Sequence, residues 1–439
     1  MSVKQFHIHT FGCQMNVHDS EQMSQVLSDA GYVKTDKVDS ADIIIVNTCS
    51  VRIKAAQKAH SQLGRLKRLR EKRPGLVIGV AGCLAQEYGA AFFKRAPYLD
   101  LVVGTHNIHR LPEMIEAVHN NGSRVVDTSF HESVRSLGIH TLPPDGSVNA
   151  YATIMQGCNN FCSYCIVPYV RGREESRASG DILNEIRFLA DNGIREITLL
   201  GQNVNSYGST LSGDTDFPGL LRMIGRIKGV ERIRFTTSHP KDLSEKLAGC
   251  FGDIEGLCEH IHLPVQSGSD DVLKMMRRGY TAQEYLRKID MLRSACPDIS
   301  ITSDIIVGFP GERDGDFQKT IDLMKEVRFD NTFSFKYSDR RGTASERYDG
   351  KVEETVKSER LSELQALQES HSMEKNRCRE GIVEAVLIEG VSKNDRADIT
   401  GRTRGNKIVN LPGDIGLIGK TVRVRITQSY MHSLRGEII

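Results

Sequence analysis

The sequence has no long apolar run and almost no net charge. No hydrophobic stretch approaches the roughly 18 residues that a membrane span needs, and the first residues, Met1 to His7, lack the apolar region of a secretion signal. The formal net charge is +2 over 439 residues, which excludes a uniformly basic nucleic-acid-binding surface and leaves only local basic patches. We therefore expect no membrane partner, and we expect the ten cysteines to stay reduced in the cytoplasm and to serve metal chemistry.

Three of the cysteines lie in one short loop. Cys158, Cys162 and Cys165 have the spacing C-x3-C-x2-C and directly follow a strand-like run, Tyr151 to Met155. Three thiolates can hold three irons of a 4Fe–4S cube and leave the fourth iron open for a substrate or cofactor. No further Cys or His lies near the loop, which disfavours a fully ligated electron-transfer cluster and a structural zinc site. Gly, Asn and Ser between the cysteines indicate an exposed turn and disfavour three core thiols.

With Tyr164 before its last cysteine, this loop resembles the radical S-adenosylmethionine (SAM) superfamily. The resemblance implies that the amino and carboxylate groups of SAM chelate the open iron. An electron from the cluster then cleaves the sulfonium and releases methionine and a 5′-deoxyadenosyl radical, chemistry that belongs to the cofactor. The implied electron donor is a protein of flavodoxin or ferredoxin type.

Strand and helix patterns alternate through residues 149–376, which we predict to be one domain. The helical stretches include Asp181–Asp191, Ala282–Ser294 and Phe317–Val327. The candidate strands are Ala150–Met155, Glu196–Leu200, Arg232–Thr236, His260–Leu263, Ile299–Val307 and Thr332–Tyr337. About six such units agree with the open (β/α)6 barrel that the superfamily resemblance implies, with functional groups at the strand C-termini.

Polar, glycine-containing loops follow several of these strands, at 201–208, 263–269 and 308–312. Glycine lets the backbone approach a ligand, and Gln, Asn and Ser offer neutral hydrogen bonds to adenine, ribose and an amino acid. Each loop alone could be an ordinary polar turn, but their recurrence favours a SAM cradle. By resemblance, the contacts to SAM or substrate would come from Tyr164, Gln202, Gln266 and Asp304.

Residues 1–118 contain three copies of one pattern: an apolar extended run, a small polar turn, a cysteine and a helical stretch. The cysteines are Cys13, Cys49 and Cys83. Such runs predict a parallel, doubly wound sheet, and ligands collect beyond the carboxyl ends of its strands. The three thiols should therefore converge on a second 4Fe–4S cluster, although small cysteines packed under turns remain the alternative. The region resembles the N-terminal domain of the methylthiotransferase family, which implies that this auxiliary cluster carries sulfur or the methylthio group.

Basic residues form two further features of the sequence. Eight of them lie between Lys54 and Arg73 against one acid, and they form either a solvated helix face or a phosphate-contacting surface. In the segment after the cysteine loop, Arg171, Arg173 and Arg177 could meet phosphate or the SAM carboxylate, or could pair with neighbouring glutamates. Residues 119–148, with little periodicity and a Pro-Pro pair, are predicted to be a linker.

The C-terminal region, 379–439, follows a charged helical stretch and changes to short β runs with glycine turns. Five strands in about sixty residues predict a small antiparallel barrel of oligonucleotide-binding type. It resembles the TRAM domain, an RNA-binding module, although a docking barrel is the alternative. The candidate phosphate contacts are Arg402, Arg404, Lys407, Arg423, Arg425 and Arg435.

Together the three regions resemble a radical SAM methylthiotransferase, an enzyme with two 4Fe–4S clusters and SAM. The segments at 47–52, 200–207 and 430–437 are most similar to the branch that modifies C2 of N6-isopentenyladenosine beside the tRNA anticodon. Ile53 and Lys54 stand where typical members have an acidic residue soon after Arg52. The resemblance implies the tRNA anticodon loop and a sulfur source as partners, and a monomer is the simplest expectation. Alternatives are a methylthiotransferase for threonylcarbamoyl-adenosine or a ribosomal-protein aspartate, and a non-enzymatic RNA-binding iron–sulfur sensor.

Overall fold

The structure is a computed structural model that describes residues 3–131, 141–144, 146–393 and 395–439, without the side chain of Ile53. Its contacts divide the chain into two compact units, each discontinuous in sequence. The N-terminal unit comprises Met1–Pro143, Thr153–Asn159 and Ile166–Arg177. The C-terminal unit comprises Pro144–Ala152, Asn160–Cys165 and Ala178–Ile439. No described helix is long and apolar enough to cross a membrane.

The N-terminal unit is built on a six-stranded parallel sheet with the order β2-β1-β3-β4-β5-β6. The strands are β1 Gln5–Phe11, β2 Val33–Lys34, β3 Ile43–Thr48, β4 Val77–Ala81, β5 Leu101–Val103 and β6 Val125–Asp127. The helices that connect them are α1 Gln14–Asp29, α2 Ile53–Lys72, α3 Cys83–Tyr88, α4 Phe92–Arg95 and α5 Leu111–Asn121.

Two separate apolar cores cover the two faces of this sheet. Ile44 and Val46 of β3 pack with residues of α2 and α4 on one face, whereas Ile43 and Ile45 pack with residues of α1 and α5 on the other. A strand buried on both faces needs a continuous apolar run, because alternate side chains enter opposite cores. The predicted parallel, doubly wound sheet is confirmed.

The region predicted as a linker from residue 119 begins inside regular structure. Helix α5 continues to Asn121, and Val125–Asp127 is the sixth strand of the sheet, in register with β5. Much of the remaining stretch, residues 132–140 and 145, lies outside the described residues. Further along the chain, the N-terminal unit also contains a two-stranded ribbon, β8 Met155–Gln156 with β9 Glu175–Ser176, and helix α6 Val167–Arg171.

The C-terminal unit contains six strands arranged as two three-stranded sheets, with the orders β11-β10-β7 and β12-β13-β14. The strands are β7 Asn149–Thr153, β10 Glu196–Leu200, β11 Arg232–Thr236, β12 His260–His262, β13 Ser300–Val307 and β14 Asn331–Lys336. The helices are α7 Ser179–Asp191, α8 Phe217–Ile224, α9 Glu245–Asp253, α10 Asp270–Met275, α11 Ala282–Ala295, α12 Asp314–Val327 and α13 Glu354–Arg377. A parallel bridge from Ile233 to Leu257 links the two sheets, as expected of an open (β/α)6 barrel.

The last strands form a closed five-stranded barrel with the order β15-β16-β17-β19-β18. They are β15 Val383–Val391, β16 Asp398–Thr403, β17 Ile408–Pro412, β18 Thr421–Ser429 and β19 Leu434–Ile438. The barrel encloses a small aliphatic core that includes Val386, Ile399 and Val424. The predicted barrel is therefore confirmed, but the β17–β19 pairing is parallel, so the barrel is not wholly antiparallel.

The turn between β16 and β17, residues 403–407, packs against the first residues of the (β/α)6 strands. Arg234 of β11 donates hydrogen bonds to the backbone oxygens of Thr403 (2.8 Å) and Arg404 (2.9 Å). Arg404 in turn donates to Glu259, which lies just before β12, at 2.8 Å. The small barrel is thus fixed to the (β/α)6 core by buried and partly buried, charge-assisted hydrogen bonds.

Candidate functional site

Cys13, Cys49 and Cys83 follow three strands that are neighbours in the N-terminal sheet. Strands β1, β3 and β4 pair in register, with Phe11 opposite Thr48 and Asn47 opposite Ala81. Each cysteine lies one or two residues beyond its strand. Because parallel strands end at the same sheet edge, residues separated by 34 and 36 positions in the sequence reach one place.

A buried amide network holds the turns that carry these thiols. The Asn16 Oδ1 atom accepts hydrogen bonds from the backbone N–H and the thiol of Cys13, at 3.3 and 3.5 Å. The Asn47 amide donates to the backbone oxygen of Asn16 at 2.8 Å. Gly82 has φ +84°, and a Cβ there would stand 2.3 Å from Asn47 Oδ1. Only glycine therefore fits before Cys83 without displacing the network.

A buried ion pair lies against the third cysteine. Arg171 of α6 donates two hydrogen bonds to Asp19 of α1, at 3.0 and 2.5 Å, and its Nε donates to the Cys83 sulfur at 3.3 Å. Arg171 and Asp19 are 2% and 3% exposed, so neither charge is shared with water. From the sequence we expect Arg171 to meet phosphate, the SAM carboxylate or a neighbouring glutamate. The structure pairs it with Asp19 instead, a residue that no sequence motif indicated.

The three thiols influence one another electrostatically. The Cys49 thiol donates a hydrogen bond to Cys13 and lowers the pKa of the Cys13 thiol to about 6, against the opposing effect of burial and with help from Arg171. Burial raises the pKa of the Cys83 thiol, although Arg171 favours its thiolate. A thiol that ionises near neutral pH is well suited to metal binding, because the thiolate is the ligand.

The residues present fit a three-thiolate cluster. Within the described ranges, no group of three His, Cys, Asp or Glu side chains is arranged to hold a single metal ion. A 4Fe–4S cube makes a different demand, because each thiolate binds a different iron. The hydroxyls of Thr48 and Ser50, on either side of Cys49, are buried and have no hydrogen-bond partner among the residues that the structure describes. Burying such unpaired polar groups costs free energy. A polar group bound at this site would offset that cost.

The second cysteine set belongs to a single turn of the chain. The Cys158 N–H donates to Gly172 O at 3.2 Å in the N-terminal unit, and the Cys165 N–H donates to Cys162 O at 3.0 Å in the C-terminal unit. Gly157 has φ +82°, and a Cβ there would stand 2.0 Å from the Arg173 oxygen. The loop therefore requires glycine before its first cysteine, as the Gly157-Cys158 sequence provides.

Cys162 is surrounded by buried nitrogen groups of the C-terminal unit. Arg278 donates to the Cys162 sulfur at 3.4 Å and is held by the Tyr280 hydroxyl and the Pro264 oxygen. The His239 Nε2 atom is 4.0 Å from the same sulfur, and its Nδ1 accepts the Lys241 N–H. Burial lowers the pKa of His239 to about 2, so the imidazole is neutral with its proton on Nε2, facing the sulfur. No motif in the sequence indicated that Arg278 and His239 lie beside Cys162.

The four predicted cofactor contacts all lie in the C-terminal unit. Tyr164 packs edge-on against Phe309 in the loop after β13, with ring centroids 6.4 Å apart. Gln266 follows β12 and forms a parallel bridge with Ile305, and its N–H donates to Asp304 O at 2.9 Å. Gln202 lies in the loop after β10. The structure thus brings Gln266 and Asp304 together.

Gln266 has two features of a ligand-binding residue. Its φ is +74°, an uncommon conformation for a residue other than glycine, Asn or Asp. Its side-chain oxygen is buried and accepts no hydrogen bond from any described part of the chain. Strained backbones and unpaired buried polar atoms cluster at ligand sites, so Gln266 fits a SAM cradle.

The six candidate RNA contacts fall into two groups. Four already have protein partners: Arg402 with Glu389, Arg404 with Glu259, Lys407 with Asp330 and Arg435 with Asp398. Arg423 and Arg425 of β18 are exposed and form no ion pair with any residue that the structure describes. Within the basic helix α2, Arg70 pairs with Asp100 and contributes to the fold.

Comparison with known families matches each region of the chain. Residues 5–104 match the uncharacterized protein family UPF0004, residues 153–324 match the radical SAM superfamily and residues 377–439 match the TRAM domain. Together with the (β/α)6 barrel and the C-x3-C-x2-C loop, these matches define a radical SAM enzyme. Radical SAM enzymes use SAM and a 4Fe–4S cluster, and methylthiotransferases of this type carry two clusters.

Full-length relatives narrow the class. A protein of Syntrophus aciditrophicus (strain SB) named tRNA-2-methylthio-N(6)-dimethylallyladenosine synthase is 58% identical over 99% of this chain and 95% of its own length. A protein of Geobacter sulfurreducens with the same name is 51% identical over 99% of this chain and 98% of its own. The chain belongs to the tRNA-2-methylthio-N(6)-dimethylallyladenosine synthase family.

Solved structures support the fold. The radical SAM methyltransferase TsrM of Kitasatospora setae aligns with a TM-score of 0.54 at 15% identity, over 76% of this chain and 73% of its own. The cobalamin-dependent radical SAM enzyme OxsB aligns with a TM-score of 0.53 at 14% identity, over 84% of this chain and 56% of its own. At such low identity these likenesses concern architecture alone.

Proposed function

We propose that this protein adds a methylthio group to C2 of N6-isopentenyladenosine beside the anticodon of tRNA. The observation that carries the proposal is similarity at 58% identity over 99% of the chain to a relative named for this product. Two separate three-cysteine sets agree with it, because the reaction needs one site to generate a radical and another to supply sulfur. An aromatic C2–H is too weakly acidic for a general base of ordinary pKa, which favours radical chemistry.

The two cysteine sets have separate roles in this proposal. Cys158, Cys162 and Cys165 hold the cluster that binds SAM, and Cys13, Cys49 and Cys83 hold the auxiliary cluster. When bound, the first cluster and SAM supply a 5′-deoxyadenosyl radical and a methyl group, and the second supplies sulfur. Convergence of the second set at adjacent strand ends supports its assignment.

The protein's own side chains position these groups and shield them from water. Arg278 and His239 direct N–H groups at the Cys162 sulfur, where they stabilise negative charge in a low-dielectric surrounding. Tyr164, Gln202 and Gln266 contact SAM, and Asp304 contacts SAM or the substrate. The unpaired amide oxygen of Gln266 is available to accept a hydrogen bond from the ligand.

The domain organisation follows from this assignment. We propose that the cluster domain, expected at 1–118, extends to the end of β6 at Asp127 and that a connecting segment leads from there to residue 148. A radical SAM core at 149–376 and an RNA-binding barrel at 379–439 follow. The external partners are an electron donor of flavodoxin or ferredoxin type and a sulfur source. We propose a monomer working in the reducing cytoplasm, where thiolate clusters persist.

Arg423 and Arg425 are the strongest candidates for contacts to the tRNA backbone, because they are exposed and their charges are uncompensated. Arg402, Arg404, Lys407 and Arg435 remain candidates, but their present carboxylate partners would compete with phosphate. Exchanging Arg423 and Arg425 for Glu should weaken tRNA binding at every salt concentration and flatten its salt dependence, since two phosphate contacts are lost. The double change Arg226→Glu with Lys228→Glu, on an exposed turn of the core, alters the net charge by the same amount and is the matched control. Equal effects of both changes would remove the proposed contact.

Nucleoside mass spectrometry tests the function directly. The reconstituted protein, SAM and a reductant are incubated without oxygen with tRNA that carries isopentenyladenosine or, separately, threonylcarbamoyl-adenosine. A methylthio mass gain on the isopentenyl nucleoside alone is the expected result. Gain on the threonylcarbamoyl nucleoside alone would contradict the substrate assignment. If SAM were cleaved but neither nucleoside gained mass, tRNA would be the wrong substrate and the ribosomal protein would be assayed.

A further inference from the structure

Two large aromatic side chains are exposed on strand β14. Phe333 and Phe335 are 48% and 45% exposed, and the residues between and beside them are more buried. Strand β14 is the outer strand of its sheet, which has the order β12-β13-β14. An exposed aromatic pair on one face of a strand is expensive to maintain without a partner and marks a binding surface.

The aromatic pair faces away from the helical layer. Lys336, the last residue of β14, contacts Glu354 and Ser358 of α13, so this side of the strand faces the outer helix. Side chains alternate along a strand, and Phe333 and Phe335 therefore occupy the opposite face. In a (β/α) barrel that face lines the interior, and near the edge strand it is open to an incoming ligand.

The same interior face carries polar groups next to Phe333. Strand β13 pairs with β14 so that Asp304 is opposite Phe333 and Ile306 is opposite Phe335. His262 of β12 lies 3.4 Å from the Asp304 carboxylate, and its ring packs edge-on against Phe333 at 5.9 Å. Three adjacent strands thus bring exposed aromatic rings and one carboxylate acceptor side by side.

We propose that this face binds the N6-isopentenyl adenine base of the substrate. Phe333 and Phe335 offer the stacking and apolar surface that an unstacked base and its five-carbon substituent need. The N6–H that remains after isopentenylation donates a hydrogen bond to Asp304, which His262 orients. The inference rests on the proposed function and assigns Asp304 to the substrate.

The alternative ligand for the same surface is the adenine of SAM. Exposure favours the tRNA base. Phe333 and Phe335 are exposed on the outer strand of their sheet. A base attached to a folded RNA must enter where the barrel is open, whereas the adenine of SAM is small enough for a closed pocket. The experiment separates the two ligands.

Binding measurements on anticodon stem-loops test the proposal. Fluorescence anisotropy compares a stem-loop carrying isopentenyladenosine with one carrying unmodified adenosine, for the cluster-loaded protein and its Phe333→Ala and Phe335→Ala variants. Phe188→Ala changes an aromatic residue that is 42% exposed on helix α7 and serves as control. We expect each of the first two variants to lose roughly 5- to 150-fold in affinity for the isopentenyl stem-loop and to lose discrimination between the two stem-loops. SAM cleavage without RNA should be unchanged, and Phe188→Ala should bind as the original protein does.

Three outcomes would overturn the proposal. Unchanged stem-loop affinity and discrimination in both variants would place the base elsewhere. Loss of SAM binding with RNA binding intact would assign the surface to SAM. A change in sedimentation from dimer to monomer without a change in RNA affinity would make it a contact between two copies of the chain. If the original protein itself neither bound nor modified the isopentenyl stem-loop, the proposed function would have failed instead.

The role of Asp304 has its own chemical test. A stem-loop whose adenine carries a methyl group as well as the isopentenyl group on N6 has no N6–H to donate. We expect the original protein to bind it about tenfold more weakly than the isopentenyl stem-loop, whereas Asp304→Ala, which has no side-chain acceptor, should bind both with similar, reduced affinity. An Asp304→Ala variant that still discriminates the two stem-loops would exclude the hydrogen bond.

Discussion

The two cysteine sets bring three thiols together in different ways. Cys158, Cys162 and Cys165 share one loop, so their proximity depends on local turns such as that at Gly157. Cys13, Cys49 and Cys83 come from three strand ends, so their proximity depends on the register of a whole sheet. A short motif can therefore be recognised from the sequence alone, whereas a dispersed site forms only when the whole sheet has folded.

Each set also has one buried arginine against one of its sulfurs, with a different charge balance. Arg171 contacts Cys83 and is neutralised by Asp19. Arg278 contacts Cys162, and its other hydrogen bonds go to a hydroxyl and a backbone oxygen. Much of the charge of Arg171 is therefore used in holding the N-terminal unit together, while the charge of Arg278 is directed at the Cys162 sulfur.

The largest expected effect separates the two sets by function. Cys162→Ala should abolish SAM cleavage and leave the auxiliary cluster in place, since the sets do not share ligands. Cys49→Ala should keep SAM cleavage but reduce methylthio transfer to background. Iron content, SAM cleavage and nucleoside mass are measured for both variants. If either change removed both clusters, the two sites would not be independent.

Breaking the ion pair beside Cys83 should have the next largest effect. Arg171→Met leaves the Asp19 carboxylate buried without a partner and should lower the free energy of unfolding of the cluster-free protein by about 3–5 kcal/mol. The double change Asp19→Asn with Arg171→Met should recover part of that loss, because no charge remains buried. Chemical denaturation followed by circular dichroism measures both. A single variant as stable as the original would show that the pair is not needed for folding.

The dispersed site should be sensitive to its turns even where no ligand changes. Gly82→Ala and Gly31→Ala both place alanine at a φ near +85°, but a Cβ at residue 31 meets nothing within 4 Å. Both should lose about 1–3 kcal/mol, because an L side chain rarely adopts a positive φ of this kind. Gly82→Ala should lose roughly 1–3 kcal/mol more because it must displace Asn47, together with iron from the auxiliary site. Equal stability and iron content in the two variants would contradict the steric argument.

The smallest effect should be on the potential of the loop cluster. Arg278→Met removes a charged donor to the Cys162 sulfur and should destabilise the more negative, reduced cluster, lowering its midpoint potential by about 60 mV, the equivalent of one hydrogen bond. The auxiliary cluster should not shift. Redox titration monitored by electron paramagnetic resonance measures both. A shift of the auxiliary cluster alone would reverse the assignment of the two sites.

Features with a local pattern were predictable from the sequence. The strands Glu196–Leu200 and Arg232–Thr236 have the predicted bounds, because apolar runs and glycine turns define them. The sheet prediction also implied that the three N-terminal cysteines meet, since parallel strands end at one edge. The class of enzyme was inferred from the family resemblance.

Pairings between distant residues were not predictable in this way. Asp19 and Arg171 are 152 positions apart, and nothing in the neighbouring sequence of either residue indicates the other. The basic residues of the small barrel show the same limit. Arg404 and Arg423 are equally basic in sequence, but only the structure shows that one is paired with Glu259 and the other is exposed.

The turn at 403–407 has a consequence for the modularity of the chain. A chain truncated after α13 would expose Arg232 and Arg234, which are 2% and 7% exposed in the intact protein. It would also lack the backbone oxygens that accept their hydrogen bonds. The small barrel matches a sequence family of its own, but its turn at 403–407 covers residues of β11 in the (β/α)6 core. For folding, the last sixty or so residues belong to the core of the C-terminal unit, so the TRAM barrel cannot be exchanged freely as a separate module.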